Sequence, residues 1–421
     1  MRQALFLLTL AACDGLVGDL DVEPAVPPET PGLPFSVAGE DAGTPAPDSG
    51  PVDAGQTDLG SPDAGPRDAG TPPRDADDGG PVDAGAPLPA VDAGPPHDAG
   101  IRSVDVLIAQ GRLGRTMVSC DDGRTWLHDR DEAAGTRCGD PPLVECFHHP
   151  WASMGLVHTG TSVVATWGWG APGRVRRTLD GVSWEDVTTG TSFGAITASA
   201  QAVIGAAGPP QVSRLDGQRG TWSAGGDLRT GSVTRHAAFL PAGGGRFFIA
   251  LDDALKASDD VGATWTTVAL PAPCLAGVRG LLAHGSTLIL VRWSGALCTS
   301  TDRGVTWAQQ TVASGFTSSG VYAHGAFLLW NGATRYRSVD GLTWTSAQST
   351  PSDVSIGPVV VTRAGTLVAF KGGWQSEYAD ERIYRSSDGL TWQVLPATAH
   401  ARSHPITHLV SGPLRASNVC P

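Results

Sequence analysis

A short phrase that ends in tryptophan recurs along this chain. Six copies follow the pattern Ser/Thr-x-Asp-(x)-Gly-x-Thr/Ser-Trp, and a degraded seventh keeps Asp-Gly before its Trp. The seven phrases end at Trp126, Trp184, Trp222, Trp265, Trp307, Trp344 and Trp392. Successive tryptophans are 58, 38, 43, 42, 37 and 48 residues apart. One motif in every 40 to 50 residues or so is typical of propellers and other repeat arrays.

Each phrase is predicted to be the turn of a β-hairpin. Asp-Gly between two extended runs is a strong hairpin signal, because Gly adopts positive φ without steric cost. The Asp and Ser side chains can bond nearby backbone N–H groups and fix the turn. The Trp then begins the next strand, where its ring can wedge between two sheets. Acidic pairs such as Asp121/Asp122 suggest calcium as an alternative, but turn capping is the favoured role.

The phrase resembles the Asp-box (BNR) repeat of sialidases, sortilin-type receptors and related β-propellers. The resemblance covers residues 101–421. It implies a propeller in which each box is a structural hairpin, on the side away from the usual ligand face. It is specific for the fold and assigns no activity.

Strand patterns point to the same architecture. Runs of about five residues, Gly-rich turns and no helical periodicity predict an all-β fold. Four strands can be assigned to each unit, so residues 101–421 are predicted to form a seven-bladed β-propeller with four-stranded blades. The first unit lacks its front strand. We expect residues 406–410 of the C-terminus to supply it, which closes the ring and leaves no open sheet edge.

The first residues have the form of a secretory signal. Arg2 precedes the apolar run 4–10, and Leu-Ala-Ala-Cys ends at Cys13. The run is too short to span a bilayer. The tetrapeptide resembles the bacterial lipobox, which implies that residues 1–12 are a lipoprotein signal peptide and that Cys13 carries the lipid. An ordinary signal with a chance cysteine is the alternative.

Residues 13–100 have the composition of a disordered linker. Asp-Ala-Gly occurs seven times, and such a chain cannot bury enough apolar surface to offset its ordering entropy. Residues 14–100 hold 18 acidic residues and two arginines, a net charge of −16. Residues 101–421 hold 24 acidic and 26 basic residues, a net charge of +2. The acidity therefore belongs to the linker, and the near-neutral propeller disfavours nucleic-acid binding.

The cysteines beyond Cys13 number six, and an even count in an exported chain predicts disulfides. The expected pairs are Cys274 with Cys298, Cys138 with Cys146, and Cys120 with Cys420. The last pair would join the first repeated phrase to the C-terminal segment and so stabilise the closing blade. Metal binding by these cysteines is disfavoured because no C-x-x-C occurs.

Six tryptophans lie outside the repeated phrase, and all map at or beside the loops of the face opposite the boxes. They are Trp151, Trp167, Trp169, Trp293, Trp330 and Trp374. Tyr378 and Glu377 share a loop with Trp374, and His148 precedes Trp151. Aromatic faces with nearby carboxylates suit sugar rings or peptide side chains, so these residues are the candidate binding surface. Packing of the funnel walls is the alternative.

A hydrolase is the competing hypothesis. A glycosidase needs two carboxylates that flank the scissile bond. Residues 101–421 contain five glutamates, which are Glu132, Glu145, Glu185, Glu377 and Glu381. Glu377, Asp380 and Glu381 form the one tight acidic cluster near the predicted ligand face. The Arg-Ile-Pro motif that usually starts a sialidase propeller is absent, so no sialidase catalytic residue carries over to this chain.

The sequence therefore predicts an exported lipoprotein of the bacterial cell envelope, anchored by lipid in the outer membrane, at its periplasmic face or at the cell surface. Its propeller, expected to be a monomer, binds a glycan or a protein partner without catalysis. The alternative is a sialidase-like glycoside hydrolase, and a third reading is a scaffold. No cofactor or metal is expected, because the adjacent His148 and His149 point opposite ways in an extended segment.

Overall fold

The computed structural model describes part of the chain. The described ranges are 103–132, 151–168, 173–189, 193–207, 211–216, 222–228, 234–274, 277–372, 382–396, 405–416 and 418–420. The predicted signal peptide 1–12, Cys13 and the linker 13–100 lie outside them. Within these ranges, no helix has the length and apolar character needed to cross a membrane. Helical structure there consists of short 3-10 turns at Arg112–Gly114, Ala242–Gly244 and Ala272–Cys274.

The strands form seven antiparallel sheets of four strands each, so the predicted all-β propeller is confirmed. The sheets are given from the innermost strand outward. Sheet 1 is β28 (Ile406–Leu414), β1 (Val104–Gly111), β2 (Thr116–Ser119) and β3 (Leu127–Arg130). Sheet 2 is β4 (Ser153–His158), β5 (Val163–Trp167), β6 (Arg174–Thr178) and β7 (Trp184–Thr189). Sheet 3 is β8 (Phe193–Ala198), β9 (Ala202–Ala207), β10 (Gln211–Asp216) and β11 (Trp222–Asp227).

The remaining sheets follow the same order. Sheet 4 is β12 (Thr234–Leu240), β13 (Arg246–Leu251), β14 (Leu255–Ser258) and β15 (Thr266–Val268). Sheet 5 is β16 (Val278–His284), β17 (Thr287–Arg292), β18 (Ala296–Ser300) and β19 (Ala308–Thr311). Sheet 6 is β20 (Val321–Ala323), β21 (Ala326–Asn331), β22 (Thr334–Ser338) and β23 (Thr345–Gln348). Sheet 7 is β24 (Ile356–Val361), β25 (Leu367–Lys371), β26 (Ile383–Ser386) and β27 (Gln393–Leu395).

The innermost strands of neighbouring sheets lie side by side. β28 is next to β4, and the series continues through β8, β12, β16, β20 and β24 before it returns to β28. The strand that completes sheet 1 comes from the C-terminus, as expected, and Ile108 pairs with Val410 in its ladder. This pairing joins both ends of the propeller chain in one sheet, which removes an open edge.

Two of the three expected disulfides are present, Cys120–Cys420 and Cys274–Cys298. The first joins the repeated phrase of sheet 1 to the segment after β28, across a sequence separation of 300 residues. The second spans 24 residues within sheet 5 and the loop before it. Cys138 and Cys146 lie outside the described residues.

The repeated phrases form one kind of turn, here named the repeat turn, between the third and fourth strands of a sheet. In sheet 6, Ser338 Oγ donates to Asp340 Oδ1 and accepts from Gly341 N–H, both at 2.8 Å. The Thr343 N–H donates to Asp340 Oδ1 at 2.7 Å. The same three bonds recur in the turns that begin at Ser119, Thr178, Ser258, Ser300 and Ser386.

These bonds stabilise the ionised aspartate and not the acid. Hydrogen bonds led by the Thr343 N–H lower the pKa of Asp340 to about 2. Those led by the Thr306 hydroxyl lower the pKa of Asp302 to about 2 as well. All of the donors belong to the turn itself, so these carboxylates cap turns, as predicted. The turn of the seventh, degraded phrase falls within 217–221, outside the described residues.

The glycine and the tryptophan of each described repeat turn pack against the preceding sheet. The Gly304 turn of sheet 5 lies against Phe248 of sheet 4, and Trp307 joins the hydrophobic cluster of that seam. The Trp307 ring also donates its Nε1–H to Gly304 O at 3.2 Å, which satisfies its polar end. In sheet 1 the Gly123 turn lies against Val368 of sheet 7, so the contact is repeated where the ring closes.

Replacing Gly304 by alanine is expected to lower the free energy of unfolding. A Cβ at Gly304 would lie 2.9 Å from the Phe248 ring, whereas one at Gly285 would meet open space. Both glycines have positive φ, 83° and 58°, so Gly285→Ala is a matched control for backbone strain. We expect Gly304→Ala to cost about 1–3 kcal/mol more than the control in urea unfolding, the usual cost of overpacking. Equal losses would show that the seam tolerates the added methyl group.

Removing the Cys120–Cys420 disulfide is expected to destabilise the protein more than removing Cys274–Cys298. The chain-entropy model assigns about 6 kcal/mol to closing the longer loop and about 3.5 kcal/mol to the shorter one. The two alanine double variants should be compared by urea unfolding of the full chain. A smaller loss for the Cys120→Ala/Cys420→Ala variant would contradict the expectation and leave ring closure to strand pairing alone.

Candidate functional site

The topology gives the propeller two unlike faces. Repeat turns occupy one end, and the loops that connect second to third strands, or one sheet to the next, occupy the other, here named the mouth. β1 is the second strand of sheet 1 and runs toward its turn with β2 at the mouth. Val104, its first residue, therefore lies at the repeat-turn face. The chain thus enters the propeller on the face opposite the mouth.

A break in strand pairing recurs at the mouth ends of the innermost strands. The ladders of sheets 1, 2, 3, 4, 5 and 7 all show a register shift there. In five of them one extra residue stands on the inner strand: Thr407, Met154, Gly194, Arg235 and Arg279. Such bulges re-aim side chains and are common next to functional sites. The mouth is therefore where the inner strands depart from regular pairing.

The innermost strands carry basic and neutral residues. All seven lie in the described part of the chain, and none of them contains Asp or Glu. Their ionisable residues are Arg235, Arg279, His158, His236, His284, His408 and Tyr322.

Trp293 is the tryptophan that the mouth exposes to solvent. It lies in the turn between β17 and β18, with 49% of its surface accessible. The Arg279 guanidinium stands 4.0 Å from the centre of its ring, and Arg279 also donates to Thr317 O of the neighbouring loop. The backbone N–H of Trp293 donates to Gly277 O at 2.9 Å, which fixes the turn that carries the ring. The Arg279 guanidinium lies against the ring itself.

Trp167 and Trp330 do not contribute to a binding surface, contrary to the sequence-based expectation. Both are 0% exposed and pack within the seams between sheets. Trp330 donates its Nε1–H to Gly389 O at 3.2 Å, and its ring meets Trp392 edge to face. Trp167 meets Trp184 in the same way. The physical reason is strand alternation, which places each ring on the face that already buries the alanines and valines of its strand.

Trp151 occupies an intermediate position. Its half-buried ring meets Trp167 edge to face, and the guanidinium groups of Arg174 and Arg176 stand 4.8 and 5.7 Å from its centre. Arg176 is also paired with Glu132 at 2.7 Å. This stack packs the outer strands of sheet 2. The other candidates, His148, Trp169, Trp374, Glu377 and Tyr378, lie outside the described residues.

The two described glutamates lie on or next to the outermost strands of their sheets. Glu132 follows β3 and pairs with Arg176, and Glu185 on β7 pairs with Arg177. Both therefore belong to ion pairs of outer strands. Glu145, Asp380 and Glu381 lie outside the described residues. Within the described ranges, no three His, Cys, Asp or Glu side chains gather as a metal-binding group.

A polar cluster that the sequence did not suggest lies at the seam of sheets 1 and 2. Ser153 Oγ is 2.9 Å from His408 Nδ1, and Thr407 Oγ1 donates to Ser153 Oγ at 2.7 Å. His408 keeps some contact with solvent, but dense packing lowers its pKa to about 4. Their proximity could have been predicted only from the position of the C-terminal strand β28 beside β4.

A second histidine crosses the same seam nearer the repeat turns. His158 Nδ1 accepts the Gly160 N–H at 3.0 Å, which assigns the ring proton to Nε2. That Nε2–H donates to Pro413 O at 3.1 Å. Burial lowers the pKa of His158, partly opposed by the Pro413 carbonyl and by Asp105. Both seam histidines are therefore neutral at pH 7.

No protein-family model matches this chain, and the search of curated proteins gave no match. Solved propeller structures do match. YCF48 bound to D1 peptide is 17% identical with a TM-score of 0.43, covering 58% of this chain and 84% of that chain. A streptogramin B lyase is 12% identical with a TM-score of 0.45, covering 59% and 83%. A catalytically inactive virginiamycin B lyase from Staphylococcus aureus with quinupristin is 13% identical with a TM-score of 0.48, covering 63% and 92%.

The seam histidines predict a loss of stability in acid. Their folded pKa values lie below the unfolded value of about 6.5, so protonation favours the unfolded chain. Stability is complete above about pH 6.5 and falls as the pH drops toward 4. In His408→Gln this fall should be shallower when urea unfolding is followed at pH 7, 5.5 and 4. His128→Asn, at an exposed position of β3, is the control, and an unchanged slope in His408→Gln would refute the assignment.

Proposed function

We propose that this chain is an exported lipoprotein whose propeller binds a peptide, protein or glycan partner at its mouth, without catalysis on that partner. The observation that carries the proposal is Trp293. Among the exposed large hydrophobic side chains of the described residues, it alone is a tryptophan. It stands at the mouth, beside Arg279 of the inner strand.

The chemistry of this pair suits recognition. Trp and Arg are the residues that most often carry the energy of protein interfaces. A tryptophan face also stacks on sugar rings or on peptide side chains. Because the Arg279 guanidinium lies against the ring before any partner arrives, less side-chain entropy remains to be lost on binding.

The path of the chain supports a role in display. β1 begins with Val104 at the repeat-turn face, so the described chain enters the propeller on the face opposite the mouth. A flexible linker with the length of residues 13–100 averages about 50 Å end to end. We propose that the protein lies in the bacterial cell envelope and is anchored by a lipid on Cys13.

We also propose that the propeller belongs to the Asp-box (BNR) superfamily, with each of the seven sheets as one blade. The support is the repeat turn, whose hydroxyl, carboxylate and glycine make the same bonds in six sheets. The sialidase-like alternative needs two carboxylates that flank the scissile bond, and its candidates Glu377, Asp380 and Glu381 lie outside the described residues.

The test is binding by the full chain on glycan and peptide arrays. Trp293→Ala should weaken binding of any ligand found by about 30-fold, the equivalent of about 2 kcal/mol for an interface anchor. Val305→Ala, at a 68% exposed position of the repeat-turn face, is the matched control and should bind like the wild type. Undiminished binding by Trp293→Ala would reject the site. Hydrolysis of an array glycan would reject the non-catalytic role.

A further inference from the structure

The cluster of Ser153, Thr407 and His408 lies at the mouth but on the opposite side of the ring from Trp293. Trp293 belongs to sheet 5, which is three sheets away from both sheet 1 and sheet 2 in the order of the ring. The cluster is therefore separate from the proposed binding anchor. Its members come from β4 and β28, which are 255 residues apart in the Ser153–His408 contact.

The donor and the acceptor of each hydrogen bond in the cluster can be assigned. The Thr407 hydroxyl donates to Ser153 Oγ at 2.7 Å, which leaves the Ser153 hydroxyl to donate to His408 Nδ1 at 2.9 Å. Thr407 Oγ1 is itself 2.9 Å from the same nitrogen. For Nδ1 to accept, the imidazole must be neutral, and burial lowers the pKa of His408 to about 4. At pH 7 the ring is therefore neutral, and the Nδ1 lone pair faces the Ser153 hydroxyl.

The backbone around Ser153 is open on one side. β4 is the innermost strand of sheet 2 and pairs with β5 along one edge only. A bulge follows Ser153, because Ser153 pairs with Trp167 and Gly155 with Thr166, which leaves Met154 extra. The other edge of β4 carries backbone N–H groups that lie outside the strand ladder, the kind of donor that an oxyanion hole uses.

We propose that Ser153 is a nucleophile, with His408 as its base and Thr407 as a positioning residue, that accepts the acyl group of a carboxylic ester. This inference goes beyond the proposed binding function and does not depend on it. A hydroxyl and an imidazole within hydrogen-bond reach are the minimum that acyl transfer requires.

The step balances without a cofactor. Ser153 Oγ bonds to the ester carbonyl carbon while its proton passes to His408 Nδ1. The carbon–oxygen bond to the alcohol then breaks, and the leaving alkoxide takes the proton from Nδ1. Water next attacks the acyl-serine, again through Nδ1, and releases the carboxylic acid. The alcohol, the acid and the free serine account for all atoms of ester and water.

The test is labelling of the full chain with an alkyl fluorophosphonate, located by mass spectrometry of peptides. In this reaction the Ser153 Oγ–P bond forms, the P–F bond breaks, and His408 takes the proton. His408→Gln should slow labelling by about 100-fold, the usual contribution of a positioned base. Ser153→Ala should abolish it. The labelling rate should rise with pH through about 4 and be level by pH 6, because the base is His408 with its lowered pKa.

Ser355 provides the matched control. It stands just before the inner strand of sheet 7, is half-buried like Ser153, and donates to Gly372 O at 2.9 Å instead of to a histidine. We expect no label on Ser355 and unchanged labelling of Ser153 in Ser355→Ala. Equal labelling of both serines, no labelling of either, or a rate unaffected in folded His408→Gln would overturn the proposal. None of these outcomes bears on Trp293, so the binding function is tested separately.

Discussion

The fold depends on the contact between each repeat turn and the sheet before it. A turn with glycine at its centre can approach a neighbouring strand closely, as Gly304 approaches Phe248 and Gly123 approaches Val368. The tryptophan that ends the phrase then fills the same seam, and its ring N–H returns to the turn in sheets such as sheet 5. One phrase supplies the hairpin turn, the glycine that approaches the neighbouring sheet and the tryptophan that fills the seam. A repeat of about 40 residues is therefore enough to specify a sheet and its contact with the sheet before it.

The backbone is held more regularly at the repeat-turn face of the propeller than at the mouth. The polar groups of a repeat turn are satisfied within the turn, so that face is fixed by local bonds. At the mouth, the inner strands lose their regular pairing in six of the seven sheets, and the residues placed there differ from sheet to sheet. The arginine beside Trp293 and the threonine beside Ser153 both stand at such bulges. The same kind of bulge therefore occurs beside the proposed binding anchor and beside the proposed nucleophile.

The local spacing of the repeated phrase predicted the all-β propeller and its hairpin turns. The missing front strand of the first unit predicted the C-terminal closing strand, and the even cysteine count led to three expected disulfides, of which two are present. The binding surface was predicted less well. Trp167 lies on the same face of its strand as the buried residues Val163 and Ala165. Trp330 lies on the same face of its strand as the buried residues Ala326 and Leu328. Strand alternation would have identified both as core residues. The Ser153 cluster was not predictable, because it requires the register of two strands at opposite ends of the propeller chain.

The closing strand has a consequence for how this protein is made. β28 is the last strand of the chain and also the innermost strand of the first sheet, so sheet 1 stays incomplete until the final residues are available. Pairing across some 300 residues is slow to form, because the loop must be closed before its contacts stabilise it. A chain that folds progressively from its N-terminus therefore cannot close the ring before β28 is available. Assembly of the mouth, including the seam between β28 and β4, becomes the last event of folding.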